Sequence, residues 1–271
     1  MKIVRLDNAE HDVSPHVSGH IHTAGHVRPE VWKLAEEAPA SILYNGQSFA
    51  VMMVTPADLE DFAVGFSITE GIAASAAEIG SIRITEAADG FLVNVEVDAN
   101  ALARAEGRRR TLTGRSGCGI CGAQSLDAVM KPLTRVAGAW PEAGAILKAF
   151  EHMPSLQPMN LDNRSTHAAA HCDLAGQVEL VREDIGRHNA LDKLAGALAR
   201  QGRDGSNGFV LMSSRCSVEL VQKAAAIRAP FIASVSAPSA LALRLAQGAG
   251  MGVAAKTRDG LMMFDEFGAK P

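Results

Sequence analysis

The feature that most constrains the fold lies in the second half of the chain, where short apolar runs alternate with segments of helical period. HAAAHCDL, a turn at Gly176 and VELVRE are followed by a helical pattern over 188–200, GFVLMS, a second helix over 217–228, FIASV, a third helix over 238–247 and closing strands. Strands separated by a helix cannot pair as tight hairpins; the chain must cross over and return in parallel, with its helices packed on the sheet. The opening pair has only a glycine turn between its runs, so it forms a hairpin. A mixed, partly parallel sheet is the expected core of this α/β half.

The first half obeys a different rule. ASILY and QSFAVMMV flank Asn45-Gly46, and SIRIT and FLVNVEV flank Asp89-Gly90. Asn-Gly and Asp-Gly tolerate the positive φ that tight hairpin turns require, so both pairs read as hairpins. Between them, Thr55-Pro56 has the form of an N-cap and first helical residue. Leu59, Phe62, Ala63 and Phe66 make one apolar stripe, and Gly71 ends it. Two hairpins around one helix suggest a small α+β roll, giving a chain that is α/β in its second half and α+β overall.

Length allows this division, since 271 residues suffice for two domains of about 100–200 residues each. The expected layout is a flexible, His-containing tail over 1–30, the roll over 31–106, a basic cysteine loop with connecting helices over 107–150, and the α/β domain over 151–271. The tail assignment rests on His11, His16, His20, His22 and His26 scattered among Ser, Gly and Pro without a period. They have no acidic or cysteine partner in register, so a solvated tail is expected there and not a metal site. A net charge of -4 gives no global attraction for nucleic acid or an anionic membrane, so any anion site must be local. No apolar run approaches the ~18 residues of a membrane span, and MKIVRLDNAEHD lacks the apolar core of a signal peptide. The chain is accordingly expected in the cytoplasm.

In that reducing compartment, four cysteines are too few for a disulfide scaffold. Cys118-Gly-Ile-Cys121, set in GRRRTLTGRSGCGICG, is the sharpest chemical feature. A structural zinc site wants four ligands, whereas Cys172 and Cys216 stand alone and far apart. A thioredoxin-like site places its first cysteine at a helix start after a strand, while here Gly117, Gly119 and Gly122 surround the pair with pliant backbone. The third reading is a sulfur carrier, whose thiolate takes up sulfane sulfur as a persulfide and yields it to an acceptor. Arg104, Arg108, Arg109, Arg110 and Arg115 precede the pair, with Glu106 the one acid between 104 and 121. Nearby cations favour thiolate, and guanidinium forks also suit the phosphate oxygens of an acceptor. Arginines that merely solvate a loop are the bland alternative.

The residues EDIGRHNALDKLAGA (183–197), the GCGICG loop, SSRCSVELVQKAA and VSAPSALALRLA, with EAPASILYNGQSFAVMMVTP and GFSITEGI, together resemble the FdhD family of formate dehydrogenase accessory sulfurtransferases. Several long motifs in one order over roughly 35–265 are far more specific than a lone C-x-x-C. The resemblance implies that sulfur arrives from a cysteine desulfurase. It passes as persulfide to the bis-molybdopterin guanine dinucleotide form of the molybdenum cofactor, destined for formate dehydrogenase. It implies Cys118 as the persulfide bearer and Cys121 as relay or resolving partner, a homodimer, no resident metal, and a cytidine-deaminase-like second domain. The family's nucleotide-contacting stretch falls on Ala255, Lys256, Thr257, Arg258, Asp259 and Gly260, with Ala255 in place of the usual aromatic. A chaperone that binds the cofactor without transferring sulfur, and a zinc-binding regulatory module, are the competing classes.

Deaminase chemistry itself is disfavoured by the residues. Zinc deaminases need H-x-E and P-C-x-x-C at successive helix starts; here His188-Asn189-Ala190 and Arg215-Cys216-Ser217 lack the glutamate and the second cysteine. His188 opens a helix beside Arg187, with Asp184 and Asp192 near in sequence, and is a candidate phosphate or substrate contact. Ser213, Ser214 and Arg215 sit where a strand gives way to a helix, the place where open α/β sheets bind ligands; they form the second candidate cofactor site. His167 opens a strand, where backbone pairing is the default role. Cys172 and Cys216 read as packed residues.

Overall fold

The computed structural model describes residues 1–6, 11–112 and 133–264, with the side chains of 109–112 excepted. Cys118, Cys121 and Arg115 therefore lie outside the described residues, as do the side chains of Arg109 and Arg110.

The first half is built on a five-stranded sheet in the order β1-β6-β7-β4-β5. Its strands are β1 (Lys2–Arg5), β4 (Ala38–Tyr44), β5 (Gln47–Val54), β6 (Ile79–Ala87) and β7 (Gly90–Val97). The β4–β5 hairpin turns at Asn45 and Gly46, both at positive φ (48° and 81°), as the Asn-Gly signal demands. Asn45 then braces the neighbouring strand, its Oδ1 accepting from the Val97 amide at 2.8 Å and its Nδ2 donating to the Val97 carbonyl at 3.1 Å. Helix α1 (Leu59–Thr69) and helix α2 (Ala99–Leu112) cover one face of the sheet. Leu59, Phe62, Ala63 and Phe66 of α1 are all buried against Ile42, Ile82, Ile84, Val93 and Val95. The apolar stripe thus does the packing its spacing predicts.

The second half has a six-stranded mixed sheet in the order β13-β12-β11-β10-β8-β9. β10 (Phe209–Arg215), β11 (Phe231–Ser236) and β12 (Gly252–Lys256) are parallel. β8 (His167–Cys172) and β9 (Val178–Asp184) form the opening hairpin, and β13 (Leu261–Met263) is an antiparallel edge. Side chains alternate between two cores. Val210, Met212, Ile232 and Val253 face α5 (Arg187–Arg200), α6 (Val218–Ala226) and α7 (Ala240–Gly248). Phe209, Leu211, Phe231 and Ala254 face α3 (Ala143–His152); the short α4 (Pro158–Asn163) follows it. Three layers result, as expected for crossover connections.

The halves meet where α1 lies against α5. Gly65 and Gly196 make this possible: a Cβ on Gly65 would stand 1.7 Å from the Asp192 carbonyl oxygen, and one on Gly196 1.8 Å from that of Asp61. The helices are backbone to backbone at that point.

Three expectations are corrected. Residues 1–30 contain β1 and an antiparallel ribbon of β2 (His16–Thr23) and β3 (His26–Lys33), not an unstructured tail. Both faces of the ribbon are largely exposed, so no hydrophobic alternation existed to betray it. Residues 107–112 continue α2 and are not loop; Gly107 is at an exposed helical position, where its cost is small against the helix-forming arginines around it. Thr55 does not cap α1, which starts at Leu59 after Asp58. Its hydroxyl accepts from the Ile185 amide at 3.0 Å, and its own amide donates to Asp184 Oδ2 at 2.9 Å, so the residue is committed to the junction between the halves.

Candidate functional site

The carboxyl ends of β9, β10, β11 and β12 share one sheet edge, and α5, α6 and α7 all begin there. Open α/β sheets place ligands at such an edge, because each helix start presents unpaired amides. Between β9 and α5 the chain turns tightly: Asp184 Oδ1 accepts from the Gly186 amide at 2.8 Å and from Asn189 Nδ2 at 3.0 Å. Gly186 is the N-cap of α5 and supplies no side-chain cap. Ser217, the N-cap of α6, does not cap its own helix either; its hydroxyl lies 3.3 Å from His188 Nε2.

His188 also meets Glu219 Oε2 at 2.7 Å through the same Nε2. A serine–histidine–acid relay uses both ring nitrogens, one for each partner. Here both contacts fall on one nitrogen, so the trio orients His188 and does not prime Ser217 for attack. The hydrogen bond from His188 holds the Glu219 carboxyl below its usual range, against the effect of burial and with help from Lys223 and Arg187. His167 sits beside the same group, where burial and the Arg187 charge lower its pKa and favour the neutral ring. Arg187 Nε is buried and has no hydrogen-bond partner among the described residues. A buried guanidinium donor left unpaired at a helix start is costly, and an anion is the group that would satisfy it.

The remaining sequence candidates distribute along the same edge. Ser213 Oγ accepts from the Ala168 amide at 2.7 Å, and Ser214 Oγ donates to the Arg215 carbonyl at 3.1 Å, so both hydroxyls shape the strand end; Arg215 is exposed. Arg215 pairs in register with Ser236, and Ala255 with Ser234, which sets Lys256 two strands from Arg215, roughly 10 Å away at ordinary strand spacing. Ala255 is buried, whereas Lys256, Thr257, Arg258 and Asp259 are exposed around a turn closed by Thr257 N to Gly260 O at 2.9 Å. His188, Ser213–Arg215 and 256–260 are thus brought to one edge. Glu219 was not singled out from sequence: an acid in a helix's first turn reads as dipole compensation, and its pairing with His188 is a tertiary fact.

Where a zinc deaminase needs its proton-transferring glutamate, this chain has Ala190, buried in α5. Cys216 is buried and its thiol is pushed up to about 12 by desolvation; Cys172 is likewise buried and pushed up to about 12. Neither has the exposed, cation-rich surroundings of a reactive thiol. The edge is suited to holding an anion and lacks the residues of hydrolytic deamination.

A match to the model of the FdhD/NarQ family spans residues 35–264. The chain belongs to the FdhD/NarQ family. It is 49% identical over 216 residues to the sulfur carrier protein FdhD of Bordetella petrii, covering 79% of this chain and 78% of that one. With the sulfur carrier protein FdhD of Cupriavidus necator the identity is 49% over 229 residues, covering 84% and 80%. The crystal structure of a putative formate dehydrogenase accessory protein from Desulfotalea psychrophila superposes with a TM-score of 0.75 at 24% identity, over 94% of this chain and 97% of that one, a likeness of fold. The FdhD/NarQ match takes in the six-stranded sheet, strands β4 to β7 of the five-stranded sheet, the cationic edge and the C-x-x-C segment, while β1 and the β2–β3 ribbon precede it. No described helix is long and apolar enough to cross a membrane.

Proposed function

We propose that this chain is a cytoplasmic sulfur carrier. In this reading it accepts persulfide sulfur from a cysteine desulfurase on Cys118, with Cys121 as relay or resolving partner. It delivers the sulfur to bis-molybdopterin guanine dinucleotide, its cargo, on the way to formate dehydrogenase. Membership of the FdhD/NarQ family and the names of the similar proteins support the sulfur-carrying part. The observation that carries the cofactor part is the cationic edge: two helix starts without side-chain caps, an Arg187 Nε unpaired among the described residues, and His188 fixed by Glu219. Nucleotide phosphates match that chemistry, and the exposed Arg215 and Arg258 extend the positive rim along which a long dinucleotide can lie, while Lys256 Nζ lies 5.5 Å over the Phe150 ring of α3. A homodimer is the assembly the family resemblance suggests.

The decisive experiment is intact-protein mass spectrometry of the wild type, Cys118→Ala and Cys121→Ala after incubation with a cysteine desulfurase and cysteine, with and without reductant. The expected result is a reductant-labile gain of one sulfur atom that is lost in Cys118→Ala, with folding retained. No adduct on any form, with cofactor binding intact, would replace the carrier by a cofactor-binding chaperone that transfers no sulfur.

A further inference from the structure

Five of the chain's nine histidines fall between residues 11 and 26, and the β2–β3 ribbon sorts them. His11 lies before the ribbon, edge-on to Phe91 at 4.8 Å. The other four are strand residues. β2 and β3 pair without a register shift from His16↔Lys33 to Thr23↔His26, across a tight turn with Gly25 at φ 84°. Successive side chains of a strand point to opposite faces. His16, His20 and His22 therefore share one face, opposite Lys33, Pro29 and Val27 in turn. His26 stands on the other face with Arg28 and Glu30. An apparently aperiodic set of histidines thus acquires an order that only the strand register reveals.

His20 and His22 are consecutive on that face, about 6.6 Å apart along the strand at 3.3 Å per residue. Two imidazole nitrogens that bind one ion at about 2.0–2.1 Å in tetrahedral geometry stand about 3 Å apart, a gap that two rings hinged at χ1 and χ2 close by leaning together. Both residues are exposed, and neither ring makes a hydrogen bond or an ion pair among the described residues, so nothing has to be broken for them to converge. His16 is excluded from this pair. It lies about 13 Å from His20 along β2 and faces Lys33, whose Nζ is tied to Asp162 Oδ2 of α4 at 3.0 Å. The neighbours across the strand, Pro29 and Val27, add no carboxylate, and Glu30 is on the far face, paired with Arg28. An all-imidazole donor set suits zinc, nickel and copper and not magnesium or calcium, which want oxygen. No group of three or more His, Cys, Asp or Glu is gathered to hold a metal among the described residues, so the pair supplies two ligands and water completes the coordination.

We propose that His20 and His22 form a two-imidazole site on the β2–β3 ribbon for an exchangeable divalent ion of the zinc and nickel class. The site precedes residue 35, where the FdhD/NarQ match begins, and does not rest on the sulfur-carrier reading. The test is calorimetric titration with Ni²⁺ of the full-length chain carrying Cys118→Ala and Cys121→Ala, which removes the C-x-x-C thiols as competing ligands. The same chain is then compared with His16→Ala, His20→Ala, His22→Ala or His26→Ala added, all at exposed positions. Saturable uptake of one ion per chain is expected, with no uptake of Mg²⁺. Even a second-shell partner is worth about 10–100-fold in metal affinity, so losing His20 or His22 should weaken binding at least about tenfold, while losing His16 or His26 should change it less than about twofold. A second measurement follows the imidazole nitrogens by NMR as Zn²⁺ is added, and those of His20 and His22 should shift together up to one equivalent. No saturable uptake overturns the site. Equal losses from all four histidines, or nitrogen shifts at His16 or His26 in place of the pair, overturn it too, since a His-rich tract without the strand register would behave that way.

Discussion

Lys193 and Lys223 are both buried near the junction of the two halves, and they are satisfied in opposite ways. Lys193 is fully buried; its three protons meet Asp184 Oδ2 at 2.7 Å, the Thr55 carbonyl at 3.0 Å and the Glu183 carbonyl at 3.2 Å. Asp184 is equally buried and accepts further from the amides of Thr55 and Gly186 and from Asn189 Nδ2. One charge meets one charge, and the rest is fixed backbone. Lys223 instead faces the carboxylates of Asp192 and Glu70 and the Thr69 hydroxyl, and its charge balance extends to Arg108, whose side chain is 44% exposed. A closed pair specifies one geometry, whereas a cluster that needs a fourth, solvent-facing partner can gain or lose that partner without unfolding.

The largest expected effect is at the closed site. Lys193→Met leaves Asp184 buried without its countercharge, which should cost about 3–5 kcal/mol of stability, read from urea denaturation. Adding Asp184→Asn should recover part of that loss, because the uncompensated charge goes with it. A loss under about 1 kcal/mol would mean that the backbone donors around Asp184 suffice, and the contrast between the two lysines would break.

Acid sharpens the comparison at the open site. Burial alone would raise the Glu70 pKa, but Lys223 and Arg108 overcome it and bring it from 4.5 down to about 2. The same two carboxylates hold Lys223 above the usual lysine range in spite of its burial. A folded-state pKa below the unfolded one means that the unfolded chain binds the proton first. The Glu70 contribution is therefore fully present above about pH 4.5 and is lost as pH falls toward 2. With the carboxylate 22% exposed, this amounts to on the order of 2 kcal/mol. Wild type should exceed Glu70→Gln by that margin in urea melts at pH 6, and the two should converge near pH 2.5 in the same assay. A gap that persists in acid would assign the Glu70 contribution to packing and not to charge.

Much of this architecture was legible because it repeats a local rule. Asn45-Gly46 declared its hairpin, the Leu59–Phe66 stripe declared the face of α1, and the strand–helix alternation after His167 declared the parallel core. What stayed hidden depends on partners far along the chain. Thr55-Pro56 has the form of a helix start, but tertiary hydrogen bonds to Asp184 and Ile185 claim the threonine. Gly65 and Gly196 look like ordinary small residues until the two helices are laid together. In the site, His188 and Arg215 were marked by their place at a helix start and a strand end, and the 256–260 turn by the family resemblance alone. Glu219, Glu70 and Lys223 were not, since an acid or lysine on an amphipathic helix reads first as a solvated side chain. The motif EDIGRHNALDK illustrates the difference: Asp184, Asn189, Asp192 and Lys193 within it are buried and tie the halves together, and Arg187 and His188 face the edge.

The smallest predicted effect tests whether the open site is open in the sense argued. Arg108→Gln removes a partner that is half in solvent, so the global loss should stay below about 1 kcal/mol. That loss should fade at high salt, where the screening length shrinks to roughly 3 Å at 1 M. Thermal melts at low and high salt measure both. If the loss equals that of Lys193→Met and ignores salt, Arg108 belongs to the core and α2 is held as rigidly as α5. If the loss is small and salt-dependent, the exposed end of the cluster is a contact the fold can spare, and the end of α2 is held less firmly than α5.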